Sequence, residues 1–280
     1  MPPAECVEAA QPSRNLVLDL NADLGEGMGS DAAILDIVTS ASIACGGHRG
    51  DEASMRIALT LAKDRAVAVG AHPSYLDWEG FGRRRLEVEP RVRADQVLKQ
   101  VRALHEVAED VGVRIAFLKP HGALYNVAMI DDGVASLVLD VAEQALASVL
   151  PVLGLRGSRL QSLAVERGVP FVLEAFSDRV SQPDGTLRPR TEPGAVLTDP
   201  LEVARLAPIQ ATRAGTLCVH GDGPHARALA QAARQGLLAG EAGIVFEIAA
   251  IVVRRKAGIH DFDQVFHIAV EDVDAEHAGF

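Results

Sequence analysis

Short apolar runs recur along the chain, each followed by a polar cluster and then by a helical pattern of apolar residues. The runs are Leu16–Leu20, Ser42–Ala44, Ala66–Gly70, Ile115–Lys119, Val152–Leu155, Pro170–Glu174 and Leu217–Val219. The helical patterns are Asp51–Asp64, Arg91–Val111, Asp131–Val149, Ser158–Glu166 and Pro224–Leu238, with Asp51 and Asp131 as expected N-caps and Gly112 and Gly168 as expected C-caps. Such alternation is typical of a parallel α/β fold, and about seven strands favour a closed or nearly closed (β/α) barrel.

The same segmentation divides the chain into three parts. We expect a disordered N-terminal tail over residues 1–14, a (β/α) barrel catalytic domain over 15–250 and a C-terminal extension of unknown role over 251–280. Residues 176–200 are rich in Pro, Gly, Asp and Arg, which predicts a long loop within the barrel. Long loops in compact domains are usually functional or disordered.

Composition and charge exclude several classes of protein. The chain has 27 Lys and Arg against 38 Asp and Glu, a formal net charge of -11, and 4% aromatic residues. Nucleic-acid binders need a basic surface and often stacking rings, so that class is excluded. No apolar run reaches the roughly 20 residues that span a bilayer, and residues 1–14 lack the apolar core of a secretory signal. With three widely spaced cysteines, Cys6, Cys45 and Cys218, the chain is expected to be a reduced, cytoplasmic, globular protein.

Two common nucleotide-binding loops are missing from the sequence. None of the four lysines (Lys63, Lys99, Lys119 and Lys256) follows a glycine, so there is no Walker A loop. The glycines at 25, 27 and 29 are not followed by the further glycine that a dinucleotide loop needs, because Ser30 stands there. If ATP takes part in the function, this chain does not bind it in the P-loop manner.

Ionisable side chains cluster where the predicted strands end. Asp19 lies within the first strand, and Asn21, Asp23 and Glu26 follow it. Four histidines and a lysine occupy the ends of other strands: His48, His72, His121, His220 and Lys119. Parallel strands open their carboxyl ends on one face, so these groups are expected to share an active site. The alternative is that each histidine is buried separately at its own strand–loop junction.

The residue types leave the chemistry open between two mechanisms. Asp19, His48, His72 and His121 are of the types that bind a divalent metal ion, although no local H-x-x-x-H or C-x-x-C spacing supports such a site. Carboxylates and imidazoles could equally act as acid and base without a metal. Cys45 is either a nucleophile or, as we favour, a small buried residue.

Two loops could bind anions. Gly221 and Gly223 precede the predicted helix at Pro224, where backbone N–H groups could hold a phosphate, or else form an ordinary turn. Arg83–Arg85 follow Trp78 and Phe81 in the loop after His72. That loop is either a solvated flap or a lid carrying anion-binding arginines.

Seven segments resemble the LamB/YcsF family. They are DLNADLGEG (19–27), IACGGH (43–48), GAHPS (70–74), FGR (81–83), KPHGALYN (119–126), DGTLRPR (184–190) and CVHGD (218–222). The segments occur in the family's order and cover about residues 16–245. The resemblance implies a deviating (β/α) barrel of about seven parallel strands, similar to the polysaccharide deacetylase (NodB-like) superfamily. Gly47 departs from the family, which usually has a bulky aromatic residue there. The stretch between Asp199 and Thr216 is shorter than usual, which indicates a trimmed helix.

The resemblance also implies an activity and a set of site residues. The activity is ATP-dependent cleavage of 5-oxo-L-proline to L-glutamate. The partners are the 5-oxoprolinase subunits B and C (PxpB and PxpC), one of which binds ATP with Mg²⁺. The chain could also assemble with copies of itself as a homo-oligomer. By motif, the catalytic residues are Asp19, Asp23, Glu26, His72, Lys119 and His121; the substrate-binding residues are Asn21, His48, Arg179, His220 and Asp222; Gly221 and Gly223 bind phosphate. Arg179 or one of Arg83–Arg85 would pair with the substrate carboxylate.

Two other functions compete with this one. A metal-dependent deacetylase or amidohydrolase acting alone would bind stoichiometric zinc and release acetate without ATP. A non-catalytic lactam-binding subunit would bind 5-oxoproline tightly and tolerate changes at Asp19 and His121. If those two groups act directly in acid–base chemistry, Asp19→Asn and His121→Ala should each lower turnover at least about 100-fold.

Overall fold

The computed structural model describes residues 16–239 and 244–246, with side chains from 18 to 239. The strands are β1 (Leu16–Leu24), β2 (Ser40–Ala44), β3 (Ala68–His72), β4 (Ile115–Leu118), β5 (Val152–Gly154), β6 (Phe171–Phe176), β7 (Thr216–His220) and β8 (Ile244–Phe246). The helices are α1 (Asp31–Leu35), α2 (Glu52–Asp64), α3 (Pro90–Val111), α4 (Gly122–Ala128), α5 (Asp132–Gln144), α6 (Arg159–Arg167), α7 (Pro200–Ala211) and α8 (Ala226–Ala239). The expected tail (1–14) and extension (251–280) lie outside the described residues.

Seven parallel strands close into a barrel. Their order is β2, β3, β4, β5, β6, β7 and β1, and β1 pairs back onto β2 through Asn21–Leu24. β8 pairs in parallel with the first residues of β1, Leu16–Leu18. The fold is therefore the parallel (β/α) barrel of about seven strands that the sequence predicts.

Strand β1 has a polar inner face. Asp19, Asn21 and Asp23 alternate with Leu18, Leu20, Ala22 and Leu24, and all seven residues are buried. Successive residues of a strand point to opposite sides, so the polar set faces the barrel interior and the apolar set faces the surrounding helices. The expectation that this strand ends at Leu20 is wrong, because Asn21 and Asp23 lie inside it.

The inner face of β3 makes room for an aromatic ring. A Cβ at Gly70 would lie 2.2 Å from the ring of Phe117 on β4, so the glycine lets this fully buried ring fill the barrel. Lys119 follows Phe117 by two residues and enters the same interior near the strand ends. The apolar filling thus lies beneath the ionisable groups.

The expected helix caps are confirmed. Asp51 and Asp131 accept backbone N–H bonds as N-caps of α2 and α5, and Gly112 and Gly168 end α3 and α6 in the left-handed conformation. The short helices α1 and α4 were not predicted, whereas α7 lies in the stretch where the resemblance indicates a trimmed helix, although the apolar pattern did not show it. Asp199 caps α7, but Pro208 inside the helix obscures its pattern.

Among the described residues, no single helix is long and apolar enough to cross a membrane. Helices α4 and α5 together have the length and apolar composition of a membrane span, although they are bent by 112° relative to each other. Most residues of both helices are buried against the core.

Candidate active site

Three histidines and one glutamate converge at the carboxyl ends of β1 to β4. Glu26 follows β1, His48 follows β2, His72 ends β3 and His121 is the N-cap residue of α4. One ligand atom from each lies within 4.8 Å of the others. The shortest distances are 2.9 Å between His121 Nδ1 and His72 Nε2 and 3.0 Å between His48 Nε2 and Glu26 Oε1.

The outer nitrogen of each imidazole faces an acceptor. His72 Nδ1 lies 2.8 Å from the carbonyl oxygen of Lys119, and His121 Nε2 lies 2.9 Å from that of Phe81. His48 Nδ1 lies 3.1 Å from Ser74 Oγ, whose own proton is donated to the carbonyl of Tyr75 at 2.7 Å.

These acceptors assign the tautomers of the three rings. A carbonyl oxygen can only accept, so each outer nitrogen carries the proton, and Ser74 also accepts because its hydrogen is already committed. The three inner nitrogens, His48 Nε2, His72 Nε2 and His121 Nδ1, therefore all present lone pairs to one point beside Glu26.

The segment around Phe81 closes over these rings. Phe81 has a positive φ of 57°, which is costly for a residue with a side chain, and its ring packs edge-on against His48 and His121. Gly82 follows with φ 68°, and a Cβ there would lie 2.8 Å from atoms of both histidines. The FGR motif thus forms the roof of the cluster.

Burial disfavours the charged forms of Glu26, His48 and His121. It raises the pKa of the Glu26 carboxyl well above its usual range, helped by the charges of Asp23 and Asp222. It lowers the pKa of His48 to about 2 and that of His121 well below its usual range, with the neighbouring imidazoles adding to the effect. Facing lone pairs without protons repel one another, so this set fits a cation.

The buried group of Glu26, His48, His72 and His121 could bind a metal ion. Three imidazole nitrogens and one carboxylate oxygen are the donor set of a tetrahedral zinc-type site, and outer N–H bonds to carbonyl or hydroxyl groups are the usual support of metal-binding histidines. Glu26 completes the group, and Asp19 does not belong to it. This corrects one member of the metal set suggested by the sequence.

Asp19 lies deeper in the barrel. Its carboxylate accepts hydrogen bonds from the hydroxyls of Thr39, Ser40 and Thr216 at 2.6 to 2.7 Å. Burial raises the pKa of Asp19 although these hydroxyls act in the opposite direction. Asn21 lies two residues further along β1. Its side-chain hydrogen bonds are to Ser40 and Ser42 and not to a histidine of the cluster.

Asp23 joins the cluster to a buried lysine. Its Oδ1 lies 2.9 Å from Lys119 Nζ and its Oδ2 lies 3.4 Å from His72 Nε2. Lys119 also lies 2.7 Å from Glu174 and 2.9 Å from Cys218 Sγ. Burial alone would raise the pKa of Asp23, but the neighbouring His72 and Lys119 side chains hold it well below its usual range. Asp23 is therefore ionised.

A histidine–carboxylate dyad faces Asp23 from the other side. His220 Nδ1 lies 3.0 Å from Asp178 Oδ1, and the His220 backbone N–H donates to the same carboxylate. Despite burial, His220 holds the pKa of Asp178 below its usual value. The other ring nitrogen, His220 Nε2, lies 3.9 Å from Asp23 Oδ2, so the dyad points across Asp23 towards the cluster.

The remaining predicted residues lie around the mouth of the barrel. Asp222 contacts Arg83, while Arg84 and Arg85 pair elsewhere, with Asp77 and Glu87 respectively. Arg179 donates to main-chain carbonyls. Gly221 is required by packing, since a Cβ there would lie 2.2 Å from the carbonyl oxygen of Asp23. Phosphate binding by Gly221 and Gly223 stays a prediction.

Two further motif positions, Cys45 and Gly47, have packing roles. Cys45 is buried, and burial raises the pKa of its thiol to about 12, which suits a packing role. Gly47 is required because a Cβ would lie 2.2 Å from Gln100 Oε1 and 2.4 Å from Ser74 Oγ. The buried Gln100 side chain, bonded to the Ser74 backbone, lies against Gly47.

Sequence reasoning missed several members of the site. Asp178, Glu174 and Cys218 were not selected as functional, and Arg190 was noted only as part of a motif. Asp178 stands four residues after the predicted strand Pro170–Glu174 and two after the end of β6, so its position was the available signal. Glu174 and Cys218 lie within strands and point into the barrel because successive residues of a strand alternate in direction. A short apolar run does not reveal which of its residues point inward.

The sequence profile described as the LamB/YcsF family matches residues 18–251. The chain belongs to the LamB/YcsF family. Among curated LamB/YcsF relatives, the 5-oxoprolinase A subunit of Streptomyces avermitilis is 47% identical over 240 residues, covering 79% of this chain and 96% of the relative. The 5-oxoprolinase A subunit of Paracidovorax citrulli is 45% identical over 240 residues, covering 79% and 95%.

Solved structures agree with the family and the fold. The lactam utilization protein from Thermus thermophilus is 37% identical, with a TM-score of 0.75 over 82% of this chain and 99% of that one. The Xyl-CE4 domain of a multidomain xylanase from the hindgut metagenome of Trinervitermes trinervoides is 12% identical, with a TM-score of 0.50 over 88% and 92%. The latter likeness shows the deacetylase-like fold alone.

Proposed function

We propose that this chain is the A subunit of an ATP-dependent 5-oxoprolinase and that its barrel mouth opens the lactam ring of 5-oxo-L-proline to give L-glutamate. The observation that carries the proposal is the pairing, across Asp23, of a converging His/Glu group with a histidine–carboxylate dyad. Relatives named as the A subunit of 5-oxoprolinase, at 44 to 47% identity, support the substrate class.

The dyad supplies a proton carrier for amide hydrolysis. Water adds to the lactam carbonyl carbon, the ring C–N bond breaks, and the leaving nitrogen takes up a proton. His220 Nε2 can accept the proton of the attacking water and return it to that nitrogen, while Asp178 stabilises the intervening imidazolium. Asp23 Oδ2, next to both His220 and His72, can orient the water by accepting its second hydrogen.

A divalent metal ion held by Glu26, His48, His72 and His121 would act as a Lewis acid towards the lactam carbonyl. The chain's own part is to keep the three inner lone pairs aimed at one point through the acceptors on the outer nitrogens. Lys119 keeps Asp23 ionised beneath this point. Asp19 and Asn21 support the barrel floor.

The ATP-dependent step belongs to the partner subunits in this proposal. Lactam amides are stable, and phosphorylation of the lactam oxygen would activate the carbonyl carbon for attack by water. The sequence has no Walker A loop, so we place ATP and its Mg²⁺ on subunits B and C (PxpB and PxpC), in a cytoplasmic complex. Backbone N–H groups at Gly221 and Gly223 would bind this phosphoryl group, which leaves as inorganic phosphate when water has added to the carbon and the carboxyl group forms.

The test is ATP-dependent glutamate formation from 5-oxo-L-proline in extracts of a strain that lacks its own copy of this protein. We expect activity when this chain is added, and none when the His220→Ala variant is added. Failure of the wild-type chain with its native neighbouring subunits would overturn the proposal. Glutamate formation that is unaffected by His220→Ala would instead favour a non-catalytic lactam-binding subunit.

The His/Glu group favours one second candidate, a metal-dependent amidohydrolase or deacetylase acting alone. Such an enzyme needs no ATP and no partner. Release of acetate from an N-acetylated sugar by the purified, metal-loaded chain without ATP would support it. The absence of that release, together with ATP-dependent glutamate formation, would eliminate it.

A further inference from the structure

Three arginines meet one aspartate at the mouth of the barrel. Arg83 lies in the loop after β3, Arg179 and Arg190 lie in the loop after β6, and Asp222 follows β7. The Asp222 carboxylate contacts the Arg83 guanidinium, and its Oδ2 lies 3.5 Å from Arg190 Nη1. These contacts connect loops from three sides of the barrel.

The three arginines outnumber the two carboxylates beside them, Asp222 and Asp178, the second of which acts on Arg179 and Arg190. Arg179 is 7% exposed and donates to the carbonyls of Arg188 at 2.6 Å and Ala195 at 3.3 Å, which carry no charge. Burial and the nearby Arg190 guanidinium lower the pKa of Arg179 to about 10, so the arginines repel one another. An additional anion would relieve that repulsion.

The cluster lies next to the proposed reaction site. Arg83 directly follows Gly82, where a Cβ would lie 2.8 Å from atoms of His48 and His121, and Asp222 stands two residues after His220. The charges of Arg83, Arg190 and Asp222 also act on the Glu26 carboxyl. In 5-oxo-L-proline the carboxylate is attached to the ring carbon beside the nitrogen, so only a few bonds separate it from the lactam carbonyl. One molecule could therefore reach both places.

Substrate entry must disturb the same contacts. His48, His72 and His121 are 0, 1 and 5% exposed, and Arg83 spans the mouth to Asp222 above them. A ligand carboxylate has the same chemistry as the Asp222 side chain. It can replace Asp222 as the partner of Arg83 and Arg190 while the loops separate.

We propose that Arg83 and Arg190 form the subsite for the substrate carboxylate, with Asp222 as their partner in the unliganded chain and Arg179 behind them. This proposal rests on the proposed function, since it names the part of the lactam acid that the mouth recognises. Arg190 is the specificity-determining residue, because its contact with Asp222 is long and its side chain is 26% exposed. A lactam without a carboxylate gains no binding affinity from this subsite.

The experiment compares two lactams that share a ring but differ in charge. Binding of 5-oxo-L-proline and of neutral 2-pyrrolidinone is measured calorimetrically on the full chain with subunits B and C present. We expect Arg190→Gln to raise the Kd for 5-oxo-L-proline at least about tenfold and to leave that for 2-pyrrolidinone unchanged. Arg190→Lys should recover part of the affinity, because it keeps the charge but loses the guanidinium fork.

Arg56→Gln is the matched control, since it removes one positive charge from the exposed face of α2, where Arg56 pairs with Glu52 and Asp110. It should change neither Kd. Inorganic phosphate serves as the competing anion. Competition by phosphate that depends on Arg190, with 5-oxo-L-proline binding unaffected by Arg190→Gln, would overturn the carboxylate assignment in favour of a phosphoryl group.

The outcomes separate this proposal from the proposed function. ATP-dependent glutamate formation with an unchanged KM in Arg190→Gln would overturn the subsite and leave the function intact. Loss of 5-oxo-L-proline binding in Arg190→Gln without any glutamate formation by the wild type would support the subsite and overturn the function. Equal weakening of both lactams, or no binding of the lactam acid to the wild-type chain, would also overturn the subsite.

Discussion

At the scale of single residues, the site is set by the partners of the imidazole rings. His48 depends on Ser74, His72 on the Lys119 carbonyl and His121 on the Phe81 carbonyl. Two of the three partners are backbone atoms and are invisible in a motif. The sequence identifies the histidines, but only the fold shows which nitrogen of each ring is available for a ligand.

We expect Ser74→Ala to weaken metal binding by about 10- to 100-fold, because His48 would lose the acceptor that fixes its tautomer. Metal content and affinity of the purified chain, after chelation and titration with zinc, measure this. Ser162→Ala on α6 is the control, since its hydroxyl bonds only to the backbone of Ser158. Unchanged affinity in Ser74→Ala would contradict the tautomer assignment.

Asp19 should tolerate replacement by asparagine. Its carboxylate bonds to three hydroxyls and belongs to the barrel floor, so Asp19→Asn should keep near-normal turnover, in contrast to the 100-fold loss expected from sequence. The folded pKa of Asp19 is raised, so wild-type stability falls as pH rises from about 4 through that pKa.

The Asp19→Asn variant lacks this titration. The free energy of unfolding of Asp19→Asn should therefore increase relative to that of the wild type as pH rises across that window. Urea unfolding of both proteins at several pH values measures the difference. A large loss of turnover in a stably folded Asp19→Asn chain would return Asp19 to the catalytic group.

At the scale of elements, apolar runs located all seven barrel strands, because buried strands need apolar outer faces. They misplaced strand ends wherever the inner face is polar. Asn21 and Asp23 looked like loop residues yet continue β1, and β6 runs two residues beyond its predicted end at Glu174. The apolar pattern did not show helix α7, since Pro208 interrupts it, and only the family resemblance indicated a helix there. Helices with clear caps, such as α2, were found from the pattern.

Gly70 tests the packing of these strands. We expect Gly70→Ala to lower the free energy of unfolding by about 1–3 kcal/mol, because its Cβ would overlap the Phe117 ring. In the double variant with Phe117→Leu, the loss should be smaller than the sum of the two single losses. Chemical denaturation of the four proteins measures this, and strict additivity would contradict direct contact. The control is Ala53→Gly on the exposed face of α2, which reports helix propensity alone. Gly168→Ala cannot serve, because the positive φ of Gly168 would add backbone strain.

At the scale of the whole molecule, the barrel brings the loops that follow its seven strands to one end, and that end holds the ionisable groups. Sequence order could predict this because parallel strands share a carboxyl end. It could not predict that Asp23 would lie between the His/Glu group and the His220–Asp178 dyad. That arrangement depends on the closure of β1 against both β2 and β7.

The central claim is that this chain carries the groups that open the lactam. The most direct measurement follows glutamate and ADP formed from 5-oxo-L-proline and ATP by the complex with purified subunits B and C. Three forms of the chain are compared: wild type, His220→Ala, and the control His105→Ala on the outer helix α3. We expect equal glutamate and ADP from the wild type and the control, and at least about 100-fold less glutamate from His220→Ala in an assembled complex. Glutamate formation by His220→Ala at the wild-type rate would contradict the account.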